Sequence, residues 1–251
     1  MADLSTIDRG NGERVAYRRL EGRDPGVMWL GGYHSDMDGN KAQAVAAWAG
    51  RSGRACLRFD YYGHGRSSGD FRLGTISRWR DDALAVLDTV AQGPQILVGS
   101  SMGGWISLLL ARARPERIAG LLLIAPAADF TEVLIWQRLP EAAQRQVLEE
   151  GSWLRPSDHG DEPYPVTRKL IEDGRSNLVL NLKTAPGVPV RILHGMADQD
   201  VPWQHALTTV EAIEGDVSLT LVKHGDHRLS RPADLVLIER TLDGLVRDVD
   251  G

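Results

Sequence analysis

The five residues Gly99-Ser100-Ser101-Met102-Gly103 constrain the fold of this chain more than any other stretch of its sequence. They fit the pattern Gly-x-Ser-x-Gly. The aliphatic residues at 96–98 lead into them, and an apolar run beginning at Trp105 leads out. A strand, a sharp turn and a helix are the setting in which such a serine is exposed as a nucleophile. Small residues are required because the strand and the helix cross closely. We therefore predict that Ser101 is a nucleophile.

Two other interpretations fit a glycine-rich turn between a strand and a helix. The serine could cap the helix, or the turn could bind phosphate. The chain has no G-x-x-x-x-G-K-[ST] motif, and no acidic residue is placed for a ribose after a G-x-G-x-x-G motif. Ser100 does not fit as the nucleophile, because the pattern would then need glycine where Val98 stands. The nucleophile interpretation of Ser101 is favoured.

Short apolar runs alternate with amphipathic stretches along most of the chain, which is typical of βαβ units and a mostly parallel sheet. The pattern predicts strands over residues 15–20, 27–30, 55–59, 95–99, 118–125, 190–193 and 217–222. It predicts helices over 41–51, 76–90 and 102–112, one beginning near 203, and one from 233 to about 247. Together with the serine turn, this order predicts an α/β-hydrolase fold, with a mostly parallel twisted sheet flanked by helices.

The alternation stops between residues 127 and 187, a stretch that contains five prolines. We predict that 127–187 is an inserted cap between two parts of the hydrolase core, 1–126 and 188–251. Apolar residues of the cap are candidates for an acyl pocket, although a cap must also bury apolar surface simply to dock. These candidates are Val133, Leu134, Trp136, Leu139, Trp153 and Leu154.

In this fold an acid and then a histidine follow the serine along the chain. Asp198 and Asp200 lie on the loop after strand 190–193, at the carboxyl edge of the sheet. We favour Asp198; Asp200 is the alternative, with capping of the next helix as its other role. His227 lies later than His224 on the loop after strand 217–222, and it is the favoured base. A loop hydrogen bond is the other role for His224.

A serine hydroxyl attacks well only when a base removes its proton. Imidazole does this near neutral pH and returns the proton to the leaving group, while a carboxylate fixes the imidazole tautomer. The reaction also needs two N–H donors for the oxyanion, one after the third strand and one after the nucleophile. Here these are the backbone amides of Tyr33 and Met102. A simple Gly-Gly turn is the other interpretation of Gly31-Gly32.

The segment 58–69 contains Asp60 and a Gly-x-Gly turn around His64. We interpret both as structural, ending a strand and supporting the serine turn, and assign them no chemistry. The remaining histidines show no ligand spacing such as H-E-x-x-H, so neither a metal nor another cofactor is expected. They are His34, His64, His159 and His205.

Charge and cysteine content limit the partners and the compartment. The net charge of −5 does not favour nucleic acid. Cys56 is the only cysteine, which excludes an internal disulfide and a cysteine-based metal site. The first nine residues resemble neither a secretory signal nor a transit peptide, and no apolar run is long enough for a transmembrane segment. We therefore expect a cytoplasmic protein.

Several stretches resemble the mitochondrial α/β-hydrolase-domain-containing protein 10 family, palmitoyl-protein thioesterases also described as acyl-glucuronide esterases. The longest is 93–105, which includes the serine turn; the others are 58–61, 113–117, 193–198 with 201–203, and 223–228. The resemblance implies that Ser101, Asp198 and His227 form a triad that cleaves acyl thioesters or esters. It is weakest in the cap. Because no mitochondrial presequence is evident, the location is not expected to carry over.

The leading hypothesis is hydrolysis of a small-molecule ester or acyl thioester, or of an acylated protein, through an acyl-enzyme on Ser101. A C–C bond hydrolase or a perhydrolase would use the same triad, and a non-catalytic binding protein on this fold is the alternative outside enzymes. A dehalogenase is disfavoured because it needs a carboxylate at position 101. A peptidase of this fold usually carries a large extra domain. The spacing of Val133, Leu134, Trp136 and Leu139 predicts an amphipathic helix in the cap. It is not expected to rest on a membrane, because Arg138 is its one basic residue.

Overall fold

The computed structural model describes residues 3–155 and 164–250. The predicted cap, 127–187, therefore includes a stretch, 156–163, that lies outside the described residues. No helix among the described residues is long and apolar enough to span a membrane.

A central sheet organises the described chain. Its strands are β1 (Leu4–Gly10), β2 (Glu13–Leu20), β3 (Arg23–Leu30), β4 (Arg54–Phe59), β5 (Gln95–Ser100), β6 (Ile118–Ile124), β9 (Val190–Gly195) and β10 (Val217–Val222). Two further strands, β7 (Ser152–Arg155) and β8 (Tyr164–Thr167), form a separate antiparallel hairpin. Among the described residues, the strands of the central sheet are ordered β1-β2-β4-β3-β5-β6-β9-β10. β2 pairs antiparallel with β1 on one side and with β4 on the other. All the other neighbours in the sheet pair parallel.

Helices cover both faces of the sheet. They are α1 (Asn40–Arg51), α2 (Ile76–Thr89), α3 (Met102–Ala113), α4 (Glu141–Glu150), α5 (Arg168–Arg175), α6 (Trp203–Ala212) and α7 (Pro232–Asp250). Side chains of α1 and α7 share one buried apolar cluster, and those of α2, α3 and α6 belong to the other. β5 contributes side chains to both clusters. Ile96 and Val98 belong to the cluster of α1 and α7, and Leu97 belongs to the cluster of α2, α3 and α6. Burial on both faces explains why the central strands are apolar without alternation.

Each strand and helix predicted outside 127–187 is present, with ends that differ by a few residues. The sequence did not indicate β1. Its residues are alternately exposed and half-buried, and it pairs with β2 at the edge of the sheet. An edge strand with one solvated face needs few apolar residues, so β1 has no continuous apolar run.

Residues 125–189 connect β6 to its parallel neighbour β9, and we call them the intervening segment. The amphipathic helix predicted there is instead a π-helical turn, Thr131–Ile135, followed by a 3-10 turn, Trp136–Arg138. The carboxylate of Asp129 accepts hydrogen bonds from the amides of Val179 and Leu180, which joins the two ends of the segment. We retain the boundaries 127–187 for a cap as a proposal.

Candidate active site

Ser101 lies at the sharp turn between β5 and α3 with φ 54° and ψ −116°. The positive φ is unusual for a residue with a side chain and places Ser101 in strained backbone geometry. A Cβ on Gly103 would lie 2.0 Å from the Leu30 carbonyl oxygen, and one on Gly99 would lie 2.3 Å from the Gly103 carbonyl oxygen. The predicted steric reason for both glycines is therefore confirmed.

A chain of hydrogen bonds joins Ser101, His227 and Asp198. Ser101 Oγ is 3.1 Å from His227 Nε2, and His227 Nδ1 is 2.7 Å from Asp198 Oδ2. Asp198 Oδ1 accepts the backbone N–H groups of Asp200 and Val201 at 3.0 and 2.8 Å. Because one carboxylate oxygen is held by the backbone, the other is fixed in position for His227. This arrangement is able to transfer a proton from Ser101 to the imidazole.

His194 is a further partner of Asp198 that the sequence analysis missed. Its Nε2 lies 2.9 Å from the Val201 carbonyl oxygen and 3.3 Å from Asp198 Oδ2. Both atoms are acceptors, so Nε2 carries the proton. Burial raises the pKa of Asp198, but the hydrogen bonds from His194 and His227 outweigh burial and hold that pKa well below its usual range. The signal available in the sequence was a histidine at the end of a strand, four residues before the acid.

The two alternatives left open for the acid and the base occupy different places. Asp200 lines the cavity beside the serine, whereas His224 is exposed on its loop. Ligand-type atoms of Asp198, Asp200 and His227 lie within 4.8 Å of one another, so this trio has the spacing for a cation. If Nδ1 of His227 were the ligand, a cation there would replace the hydrogen bond from His227 to Asp198.

The predicted oxyanion donors flank Ser101. Met102 is the first residue of α3, where amides have no partner within the helix and the helix dipole favours negative charge. A Cβ on Gly32 would lie 3.4 Å from Ser101 Cβ, so the chain before Tyr33 passes directly beside the serine. Within residues 3–155 and 164–250, neither the Tyr33 nor the Met102 amide donates a hydrogen bond to a protein acceptor.

Four aromatic rings fix the side chain of Tyr33 by edge-to-face contacts, with centroids 4.8–5.7 Å away. They belong to Phe71, Trp79, Phe130 and Tyr164. Burial raises the pKa of the Tyr33 phenol, and the nearby Tyr164 raises it further. Its ring is therefore a neutral wall of the site that also restrains the loop carrying its amide.

A cavity of about 660 Å³ opens onto Ser101 and His227. Of the predicted pocket residues, the structure places Leu134 in the cavity wall. Val133, Trp136, Leu139 and Trp153 pack against the core instead, and Leu154 is exposed. The apolar wall also includes residues that the sequence analysis did not single out, namely Ala127, Phe130, Ile135 and Val201.

Comparison with known proteins identifies the family. Residues 26–169 match the family model Hydrolase_4, described as "Serine aminopeptidase, S33". The mouse protein named palmitoyl-protein thioesterase ABHD10, mitochondrial, is 42% identical over 98% of this chain and 83% of its own length. The chain belongs to the ABHD10 family of α/β hydrolases. The human ABHD10 protein is 39% identical, over 97% of this chain and 80% of its own length.

Solved structures agree with membership of the ABHD10 family. Mouse α/β-hydrolase domain-containing protein 10 superposes with a TM-score of 0.91 at 40% identity, over 98% of this chain and 99% of that one. A putative hydrolase from Agrobacterium vitis S4 gives 0.92 at 44% identity, over 98% of both chains. The fold and the resemblance predicted from the sequence are confirmed, and as a member of this family the chain is a hydrolase.

The expectation of a cytoplasmic protein is wrong. The mouse and human relatives, at 42% and 39% identity, are both named as mitochondrial proteins. The expectation depended on acidic N-terminal residues and a single cysteine, and these features do not distinguish one reducing compartment from another.

Proposed function

We propose that this protein cleaves acyl thioesters and carboxylic esters through an acyl-enzyme on Ser101. The observation that carries the proposal is the hydrogen-bonded chain from Ser101 Oγ through His227 to the buried carboxylate of Asp198. Ser101 and His227 both face the cavity, so the nucleophile and the base are accessible to the same substrate.

In the proposed mechanism, Ser101 Oγ attacks the acyl carbonyl while His227 Nε2 takes the hydroxyl proton. Asp198 stabilises the imidazolium that forms. The amides of Tyr33 and Met102 donate to the oxyanion of the tetrahedral intermediate. The intermediate collapses and releases the thiol or alcohol, which receives the proton from His227. Water, activated by the same histidine, then frees the acid and regenerates Ser101.

We further propose that the acyl group is a long, apolar chain, as in an S-acylated protein. Two observations support this: the relatives are named palmitoyl-protein thioesterases, and Phe130, Leu134 and Ile135 give the cavity an apolar wall. The cavity volume falls within the range of pockets that enclose a drug-sized ligand. A cysteine thiolate also leaves with less help from an acid than an alkoxide does, because its pKa is lower.

Labelling with a fluorophosphonate probe tests the nucleophile, because the probe forms a covalent bond with an activated serine. Wild type and Ser100→Ala should label, and Ser101→Ala should not. Ser100 is a matched control, since it is the buried neighbour of Ser101 in the same turn. Retained labelling of Ser101→Ala would exclude the proposed nucleophile, and no labelling of wild type would favour a non-catalytic binding protein.

Hydrolysis rates across matched thioesters and oxyesters, from acetyl to palmitoyl, test the substrate class. We expect kcat/KM to rise with chain length and to be higher for thioesters. A preference for acetyl oxyesters would contradict a depalmitoylase, and acyl glucuronides belong in the same series. Turnover of a C–C substrate or of peroxide in place of these esters would favour a C–C bond hydrolase or a perhydrolase.

Substitutions at two leucines of the intervening segment test where the acyl chain binds. Leu134 lines the cavity, whereas Leu154 is 62% exposed. Leu134→Arg should lower kcat/KM for the palmitoyl thioester about tenfold or more, because burying one such side chain against an apolar ligand contributes about 1.5–3 kcal/mol. Hydrolysis of the acetyl thioester should change little. Leu154→Arg should affect neither substrate, and equal losses in both variants would contradict this placement of the chain.

A further inference from the structure

The Gly-x-Gly turn after β4 contacts the loop that carries Tyr33, although the sequence analysis assigned it no chemistry. His64, the middle residue of this turn, is buried at 4% exposure. Its Nε2 accepts the backbone N–H of His34 at 3.3 Å, and its Nδ1 lies 3.0 Å from the Tyr62 carbonyl oxygen. The imidazole therefore bridges the turn and the residue directly after Tyr33.

These two partners determine the protonation state of His64. The Tyr62 oxygen is an acceptor, so Nδ1 must carry a proton. The His34 amide is a donor, so Nε2 must be unprotonated. Only the neutral imidazole with its proton on Nδ1 satisfies both, and burial, the main cause, lowers the pKa of His64 to about 4, which maintains that state.

The surroundings of His64 restrict its ring. The rings of Tyr61, Phe71 and Trp79 contact it edge to face, with centroids 5.1–5.6 Å away. Gly63 adopts a positive φ of 72°, and a Cβ there would lie 2.5 Å from the Phe71 backbone nitrogen. The turn and the aromatic rings thus hold the imidazole in one orientation.

Asp60 holds the same loop at a second point. Its Oδ1 accepts the Met37 amide at 2.7 Å, and its Oδ2 accepts the Arg66 amide at 2.8 Å. A Cβ on Gly65 would lie 2.2 Å from that carboxylate, so the turn approaches Asp60 closely. His64 and Asp60 therefore hold the loop at two points, His34 and Met37.

We propose that His64 is a positioning residue for the oxyanion hole, which by accepting the His34 N–H holds the preceding Tyr33 N–H toward the oxyanion. His34 has a φ of +60°, a left-handed conformation that costs energy in a residue other than glycine. The hydrogen bond from His34 to His64 stabilises this conformation. The same bond fixes the rigid peptide unit that joins Tyr33 to His34. Because four aromatic rings hold the Tyr33 side chain as well, the Cα of Tyr33 is held on two sides, which restricts rotation of its N–H. The inference rests on the proposed function, since it assigns His64 to the reaction at Ser101.

Two substitutions separate the two hydrogen bonds of His64. The amide nitrogen of His64→Asn matches Nδ1 and keeps the bond to Tyr62, but this variant has no acceptor for His34. The amide oxygen of His64→Gln reaches the position of Nε2 and keeps the bond to His34. Thr209→Val is the control for lost stability, because it removes a buried hydrogen bond to the His205 carbonyl within α6.

Steady-state kinetics should distinguish the variants. We expect His64→Asn to lower kcat about 10- to 100-fold with KM nearly unchanged, since the oxyanion exists only along the reaction path. His64→Gln should stay within about threefold of wild type, and so should Thr209→Val. An alkyl boronic acid, which forms a tetrahedral adduct with the serine, should bind His64→Asn more weakly by a similar factor, while the fatty acid product binds equally well.

Failure of this inference and failure of the proposed function are distinguishable. If Ser101→Ala loses labelling but His64→Asn keeps wild-type kcat and boronic acid affinity, the role of His64 is refuted. If Ser101→Ala retains labelling, the proposed function fails instead. Nitrogen NMR of wild type tests the inference even if His64→Asn does not fold. It should show His64 protonated on Nδ1 and not on Nε2 at neutral pH, and the opposite tautomer would overturn the proposal.

Discussion

Replacing Asp198 by asparagine should reverse the tautomer of His227 while preserving the shape of the site. Oδ1 of Asp198 accepts two backbone amides, from Asp200 and Val201, and an asparagine oxygen would take this place. The asparagine NH₂ group would then face His227 Nδ1, now 2.7 Å from Oδ2. Two donors cannot share this contact, so Nδ1 must become the acceptor. The proton moves to Nε2, which then cannot accept the hydroxyl proton of Ser101.

The expected loss follows from this reversal. In a serine protease that uses a Ser-His-Asp triad, replacing the acid by asparagine lowers kcat about 10⁴-fold. A similar value is expected for Asp198→Asn, because its asparagine oxygen is held by two backbone amides and is not free to flip. The Nε2–H of His194 also points at Oδ2 and opposes the new NH₂ group, but its contact of 3.3 Å is longer than the two backbone bonds of 3.0 and 2.8 Å that hold the asparagine oxygen. The loss corresponds to about 5.5 kcal/mol of transition-state stabilisation.

The assay is single-turnover hydrolysis of a chromogenic ester at several pH values, with thermal unfolding as the test of folding. Asp200→Asn is the matched control, because Asp200 is the neighbouring acid and lines the cavity, and its activity should stay within about tenfold of wild type. A loss below tenfold in Asp198→Asn would refute the tautomer argument. A larger loss in Asp200→Asn than in Asp198→Asn would transfer the role of the acid to Asp200.

Three further predictions follow from the geometry. His194→Phe should raise the pKa of Asp198 and lower kcat about tenfold, since a hydrogen bond to a charged group contributes about 1.5–3 kcal/mol; a kcat equal to that of wild type would contradict this. Gly103→Ala should lower the free energy of unfolding by about 3 kcal/mol in urea denaturation, because its Cβ would lie 2.0 Å from the Leu30 carbonyl oxygen; wild-type stability would show that the turn relaxes freely. From pH 6.5 to 4, the free energy of unfolding of wild type should fall by up to about 3 kcal/mol more than that of His64→Gln. Burial lowers the pKa of His64 to about 4, so over this range the unfolded chain binds the proton first; equal slopes in the two proteins would contradict this.

Local patterns were sufficient to predict the elements that form the core. β5 and α3 could be predicted from the apolar runs on either side of Ser101, because both are buried and their side chains are almost all apolar. β1 could not, since an edge strand requires little burial. Within residues 131–138 the apolar spacing resembled an α-helix, but the chain forms π-helical and 3-10 turns there because its packing against the core overrides local preference.

For the site, the sequence alone was enough to predict Ser101 and to order the candidate acid and base behind it. The reason is that the strand-turn-helix pattern is local and that the loops after parallel strands meet at one edge of the sheet. Only the tertiary structure decided that His194 bonds Asp198, that His64 bonds the loop of Tyr33, and that Leu134 rather than Leu154 lines the cavity. These contacts join side chains to atoms of other loops, and periodicity along the chain does not report which loops meet.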